Sequence, residues 1–137
     1  MVSDFEGEIV EFVDGMEHLD EAIRAMSAML NRYNNARIFI GVDGLGHAIG
    51  ADLSSEDIDT VRTRVSELLN RMPVMNITLE FEGGKDYIRI IAEGYETPYA
   101  WKGWFYTRKC NPTRPQGSDG PVVNEWVETL TCGMKRH

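Results

Sequence analysis

The sequence predicts a single α+β domain with a mixed, mostly antiparallel sheet and helices packed against it. The chain has 137 residues, 42% hydrophobic and 26% charged, which is enough for one core and ordinary for a globular protein. Two segments show the apolar spacing of helices, and the segments around them have the apolar or alternating patterns of strands. Short glycine turns join several of these strands. Because such turns favour antiparallel pairing, the α+β class is predicted.

The first predicted elements are a short strand and a long helix. Residues 8–13 are rich in β-favouring side chains. Asp14 and Glu17 have the spacing of a capping box, which indicates a helix start. The apolar residues of this helix follow at spacings of four, three and four: Leu19, Ile23, Met26 and Leu30. Asn34-Asn35 is predicted to end the helix, because Asn tolerates the left-handed conformation found there.

The middle of the chain predicts a strand, a turn and a returning strand. Residues 38–42 form a continuous apolar run, typical of an interior strand. Residues 43–46 supply the turn and residues 48–49 the return. The glycines of this segment lack the spacing of nucleotide-binding loops, so hairpin geometry explains them better than phosphate binding.

A second helix and a β-hairpin are predicted next. Ser54-Ser55 indicates the helix start, and Pro73 marks its end. The apolar face of this helix consists of Ile58, Val61, Val65, Leu68 and Leu69. Residues 76–82 and 86–93 alternate between apolar and polar side chains across a glycine turn, which predicts a hairpin.

The last part of the chain predicts a strand, a loop and a helix. Residues 103–108 read as a strand, and residues 110–120 as a flexible loop rich in proline and polar side chains. Pro121 suits the first position of a terminal helix over residues 121–132. The whole chain is expected to be one unit, with its core within about residues 6–109.

Composition narrows the function classes. The net charge is −8, and eight carboxylates precede the first basic residue, Arg24, which argues against non-specific adhesion to nucleic acid. No run of 18 apolar residues and no signal-peptide pattern occurs, so we expect no membrane partner and a cytoplasmic location. The histidines and cysteines lack the spacing of zinc ligands, and no cofactor is expected.

An aromatic and basic stretch over residues 99–109 is the first candidate site. Five aromatic and three basic side chains interleave there, a composition that suits base stacking with phosphate contacts. Strand alternation would place Trp104, Tyr106 and Arg108 on one face. We expect Lys102, Arg108 and Lys109 to be the exposed contacts. The alternative is that several of these rings complete the core.

Several motifs together resemble the Schlafen-type AlbA domain. The matching segments run in order from about residue 6 to about residue 130: Glu6-Gly-Glu-Ile-Val-Glu11-Phe12, Ser27-Ala-Met-Leu-Asn31, Ile40-Gly-Val-Asp43, Pro98-Tyr99 and Phe105-Tyr-Thr-Arg108. The chain departs from the family pattern in having Val13 in place of a Lys, Asn34-Asn35 in place of Gly-Gly, and one acid, Asp43, in place of two. The resemblance implies a nucleic-acid-binding module, and a homodimer is plausible by the same resemblance.

The resemblance also implies a second candidate site. In nuclease-competent Schlafen proteins, two strand glutamates and a turn aspartate form a metal-dependent ribonuclease site, for which Glu6, Glu11 and Asp43 are the counterparts. Such carboxylates would hold Mg²⁺ or Mn²⁺ and activate water. In a regular strand, Glu6 and Glu11 would face opposite sides, so a bulge or an irregular start is needed to bring them together. The alternative is a solvated acidic edge strand and a turn that merely begins at Asp43.

Three functions therefore stand as expectations. The first is a nucleic-acid-binding module that has a regulatory role. The second is a metal-dependent endoribonuclease that acts on structured RNA. The third is an acidic protein-interaction or assembly domain that has lost nucleic-acid binding, which the net charge of −8 and the apolar Val13 favour.

Overall fold

Two sheets and two helices make up the fold, as the computed structural model describes it for residues 9–109 and 128–131. In chain order the elements are β1 (Val10–Val13), α1 (Leu19–Tyr33), β2 (Asn35–Ile40), α2 (Ser55–Leu68), β3 (Val74–Glu82), β4 (Lys85–Glu93), β5 (Ala100–Trp101), β6 (Trp104–Lys109) and β7 (Glu128–Thr131). The strand orders are β1-β2-β4-β3 and β5-β6-β7. The predicted α+β class is confirmed. The division of the strands between two sheets was not anticipated.

The four-stranded sheet is mostly antiparallel. Helix α1 connects β1 to β2, and these two strands are parallel, as a helical crossover allows. Strand β4 lies antiparallel between β2 and β3. The predicted β3–β4 hairpin is confirmed, and it turns at Gly83 and Gly84, whose φ angles of 57° and 80° suit the tight turn that closes it.

The main core lies between this sheet and the two helices. The sheet contributes alternate side chains, and each helix contributes its apolar face. All four apolar residues predicted for the first helix are buried: Leu19, Ile23, Met26 and Leu30. In α2, Val61, Val65 and Leu68 are buried.

The helix ends agree with the sequence at two positions and differ at a third. Asn34 ends α1 in the left-handed region with φ 61°, and Ser54 caps α2 with a capping-box partner at Asp57. The predicted capping box of Asp14 and Glu17 is wrong. A 3-10 turn over Met16–His18 comes first, and α1 begins only at Leu19.

The central hairpin is shorter than predicted. Val42 and Ala48 form a single antiparallel bridge, and the Ile49 N–H donates to the Gly41 carbonyl at 3.0 Å. The predicted returning strand over residues 48–49 is therefore reduced to one bridge. Positive φ angles at Gly50 and Asp52 redirect the chain toward α2 before a longer strand can form.

The second sheet shows that the prediction for the end of the chain is partly wrong. Strand β6 pairs antiparallel with β5 and parallel with β7. The helix predicted over residues 121–132 is wrong for Glu128–Thr131, which extend alongside Tyr106–Lys109. The ladder with β6 supplies backbone partners that the sequence pattern could not reveal. Residues 110–120, predicted as a flexible loop, lie outside the described residues, as does the start of the predicted helix. Within the part described, no helix is long and apolar enough to cross a membrane.

Candidate nucleic-acid interface and the acidic residues

The aromatic and basic stretch forms a short hairpin seated beside α1 and the end of α2. Strands β5 and β6 turn at Lys102 and Gly103, both with positive φ (49° and 82°). The Lys102 N–H donates to the Leu68 carbonyl at 2.9 Å, and the Ala100 N–H donates to the Asn70 side-chain oxygen at 2.9 Å. Hydrogen bonds with Leu68 and Asn70, at the end of α2, therefore fix strand β5 and the turn of this hairpin.

Trp101 and Arg24 lie at the centre of an aromatic and cationic cluster. The Trp101 indole N–H donates to the Asp20 carbonyl at 3.0 Å, and its ring meets the Tyr106 ring edge-on at 5.9 Å. The Arg24 guanidinium lies 5.5 Å and 5.7 Å from the centroids of these two rings. On Trp101, the Lys102 ammonium lies 4.7 Å from the ring centroid. Two cations are thus held against one indole.

Sequence reasoning did not predict that Arg24 belongs to this cluster. The residue lies on α1, more than 70 positions before the hairpin, and no local pattern connects it to Trp101. Its neighbours on the exposed side of the helix are Asp20 and Glu21, which read as an ordinary charged helix face.

An ion pair with Arg64 compensates the charge of Asp20, which also interacts electrostatically with Lys102. Arg64 of α2 donates to both carboxylate oxygens of Asp20, at 2.7 Å and 2.8 Å. This hydrogen bonding lowers the pKa of Asp20, and Lys102 adds a smaller electrostatic contribution in the same direction. Asp20 therefore stays ionised and is neutralised chiefly by Arg64, which leaves Lys102 available at the hairpin turn.

The predicted contact residues differ in exposure. Trp104 is 57% exposed, and Lys102 is exposed beside it. Tyr106 is buried, with Ala28 of α1 in the same small cluster. For Lys109, only the backbone lies within the described residues. The alternation of the strand is retained, but α1 packs on β6 beyond the turn, so the face that carries Trp104 becomes interior at Tyr106.

The expected exposure of Arg108 is wrong. Its side chain is 1% exposed and donates from Nη2 to the Glu11 carboxylate at 3.0 Å and to the Val10 carbonyl at 3.1 Å. Glu11 is itself only 5% exposed. A charge this deeply buried requires a partner, and this pair joins β6 to β1, two strands of different sheets.

The structure describes two of the three predicted metal ligands, Glu11 and Asp43. Glu6 lies outside the described residues, and Glu11 pairs with Arg108. Asp43 accepts hydrogen bonds from the Leu45 and His47 N–H groups at 2.9 Å and 3.0 Å, which is the local turn chemistry of an Asp. The amide of His47, followed by that of Leu45, lowers the pKa of Asp43.

A different acidic group lies at the start of α1. Ligand atoms of Asp14, Glu17 and His18 lie within 4.8 Å of one another, which is compatible with a metal ion. His18 already contacts Asp14 at 3.2 Å and Glu21 at 3.1 Å. Because His18 already contacts these carboxylates, the group is explained as a surface histidine paired with neighbouring acids.

Comparisons with known proteins bear on the fold alone. No family model and no curated protein matches the sequence. Among solved structures, the chain is similar to the DIP2311 protein from Corynebacterium diphtheriae, a structural-genomics target, with a TM-score of 0.56 and 17% identity. The match covers 69% of this chain and 19% of that chain, so it spans about a fifth of the other protein. At this identity the likeness shows a shared fold and carries no function.

Proposed function

We propose that this domain is a nucleic-acid-binding module of the Schlafen AlbA type that contacts single strands through the β5–β6 hairpin. One observation supports this most strongly: Trp104 presents a largely exposed indole beside Lys102, on a hairpin whose strand β5 and turn are hydrogen-bonded to the end of α2. An exposed ring of this kind is a stacking surface for a base, because every base has an aromatic face.

Lys102 and Arg24, the two cations that lie against the Trp101 ring, supply the phosphate contacts. Lys102 is exposed, and Arg24 is half-buried against Trp101 and Tyr106. Their positions are fixed by ring contacts, so little side-chain freedom is lost on binding. The net charge of −8 limits long-range attraction, and stacking must therefore provide most of the affinity.

The small number of cations predicts a weak salt dependence. For single strands, the logarithm of the binding constant falls with the logarithm of salt concentration by roughly 0.7 per phosphate contact. If Lys102 and Arg24 made the only phosphate contacts, the slope of the logarithm of the binding constant against the logarithm of salt concentration would be about −1.4. A much steeper slope would mean that binding occurs at another, more basic surface.

Fluorescence anisotropy with labelled single-stranded and structured RNA and DNA, at low and moderate salt, tests the proposal. Trp104→Ala should raise Kd by roughly 5- to 150-fold, the cost of about 1–3 kcal/mol for one stacked base. Tyr95→Ala is the matched control, since Tyr95 is a similarly exposed ring outside the hairpin. Absence of binding at low salt, or equal affinity of Trp104→Ala and wild type, would contradict the proposal.

A second candidate function is an acidic protein-interaction domain. The burial of Arg108 favours it, because one of the three cations of the stretch no longer contributes to the surface. The same titrations separate the two functions: this candidate requires that no nucleic acid binds. The endoribonuclease alternative gains no support from the geometry, since Glu11 and Asp43 have the structural partners described above.

A further inference from the structure

Strand β3 is an edge strand among the described residues. It forms one side of the four-stranded sheet, and among the described residues only β4 pairs with it. The strand spans Val74–Glu82, nine residues without proline or a basic side chain. Val74 is 77% exposed and Phe81 is 65% exposed. Edge strands of monomers commonly carry lysine, proline or a bulge that prevents pairing, and β3 carries neither a lysine nor a proline.

The hairpin geometry shows which backbone groups of β3 point away from β4. Glu82 and Lys85 close the two-residue turn, so they form a hydrogen-bonded pair of the β3–β4 ladder. Hydrogen-bonded and free positions alternate along an antiparallel strand. The odd-numbered residues therefore direct their N–H and C=O groups away from β4: Met75, Ile77, Leu79 and Phe81.

We propose that two copies of this chain pair through β3, antiparallel, about a two-fold axis at Thr78. This register places Met75 opposite Phe81 of the second copy and Ile77 opposite Leu79. All four odd residues then find partners, and about eight main-chain hydrogen bonds form. A register centred one odd residue away leaves Met75 or Phe81 without a strand partner and loses hydrogen bonds.

The side chains of β3 are compatible with this register on both faces. On the helix-facing side, Met75, Ile77 and Leu79 already pack against the main core, and Phe81 extends past it. Pairing would cover the Phe81 ring with Met75 of the second copy and continue the apolar layer across the axis. The proposed interface is isologous, since each copy contributes the same strand.

The carboxylates on the other face do not oppose this register. Glu80 would lie opposite Asn76 of the second copy, and Glu82 opposite Val74, so no two carboxylates meet directly. Glu80 also has Arg89 at 3.8 Å, and Glu82 accepts the Ala48 N–H at 3.1 Å. This acidic protein thus presents its edge strand with partners for both charges within its own chain.

Cysteine cross-linking tests the register. Thr78 would face its own copy as a non-hydrogen-bonded pair, with a Cα separation of about 4.5 Å that a disulfide can span. With Cys110 and Cys132 replaced by serine, Thr78→Cys should form a covalent dimer almost completely under mild oxidation. Asn76→Cys, on the same face, should not, because its two copies would lie roughly 13 Å apart along the strands. Equal cross-linking of the two variants would overturn the register.

Sedimentation velocity on the unmodified protein tests the dimer itself. We expect a dimer that dissociates on dilution, and a monomer for Phe81→Pro, which removes one outward N–H and leaves the ladder with β4 intact. Far-UV circular dichroism confirms that the variant is folded. Val74→Lys is the charge control: it would face Glu82 of the second copy and should not weaken the dimer. A wild-type protein that stays monomeric at the highest concentrations would overturn the proposal. It would do so even if the edge of β3 were found to bind a strand of another protein.

Discussion

Glu11 and Asp43 carry the same functional group in very different settings. Glu11 is buried against Arg108, whereas Asp43 is partly exposed and binds the amides of its own turn. For Glu11 the decisive term is desolvation, which makes the ion pair obligatory once both groups are inside. For Asp43 it is local hydrogen bonding. Each carboxylate therefore has partners within the fold.

Removing one partner of the buried pair should be costly. Arg108→Ala removes the guanidinium that lies 3.0 Å from the buried Glu11 carboxylate, and we expect a loss of about 3–5 kcal/mol in the free energy of unfolding. The double variant Glu11→Leu with Arg108→Met should recover most of this loss, because no charge remains inside. Urea denaturation of the single and double variants measures the coupling. Arg62→Ala, at an exposed arginine of α2, serves as control, and an equally small effect of Arg108→Ala would contradict the burial of the pair.

Asp43 should give a small acid-dependent contribution to stability. The lowered pKa means that its contribution is present above the unfolded value near 3.8 and is lost as pH falls through the lower folded value. Asp43→Asn removes this dependence. We expect a stability difference from wild type of no more than about 0.5 kcal/mol at neutral pH, since the group is partly exposed, and convergence of the two proteins once the pH lies below the lowered pKa of Asp43. Urea unfolding at several pH values is the measurement. A difference that grew on acidification would have the wrong sign.

Among the elements, α1 shows best how a local signal decides structure. Its apolar spacing places one face in the core, and Asn34 ends it with a left-handed residue. The Asn34 backbone carbonyl accepts the Gly94 N–H at 3.1 Å, and the Asn34 side-chain amide donates from Nδ2 to the Gly94 carbonyl at 3.0 Å. The helix end is therefore also the point at which the chain after β4 is attached.

Substitution of Asn34 separates these two roles. Asn34→Ala combines a left-handed backbone with a β-carbon and loses the side-chain bond, so we expect a cost of about 1–2 kcal/mol. Asn34→Gly loses only the bond and should cost about half as much, since glycine adopts φ 61° freely. Thermal and urea unfolding rank the two variants. The reverse order would show that the left-handed conformation does not persist in solution.

For the whole molecule, the second sheet depends on α1 for its position. The Asn31 side chain donates to the Tyr99 and Tyr106 carbonyls at 2.9 Å and 2.8 Å and accepts the Tyr99 N–H at 2.6 Å. Together with the Arg108–Glu11 pair, these bonds attach the β5–β6 hairpin to the main body. The candidate interface thus lies on a platform that α1 and β1 hold in place.

Loss of Asn31 should loosen the second sheet selectively. Asn31→Ala removes three hydrogen bonds and leaves two carbonyls and one N–H without that partner, for an expected cost of about 2–4 kcal/mol. Hydrogen exchange should show faster exchange for the amides of β5 and β6, with β3 and β4 almost unchanged. Asp59→Ala, at an exposed position of α2, is the control. Uniform loss of protection over both sheets would contradict a separable platform.

The sequence by itself determined the local elements: the apolar face of α1, its end at Asn34, the capping residue Ser54, and the hairpin at Gly83-Gly84. These depend on interactions within a few residues, which periodicity and turn chemistry report directly. It misjudged residues 128–131, because a short strand can be stabilised by a distant partner rather than by its own pattern.

Only the tertiary structure decided which side chains face one another. Glu11 and Arg108 are 97 positions apart, and no spacing rule connects them. Their burial places Glu11 in an ion pair and removes Arg108 from the surface of the candidate interface. In the same way, Arg24 joined that interface through α1 and not through the aromatic stretch. The physical reason is desolvation: a charge has its strongest effect where water is excluded, and only the packed fold determines where that is.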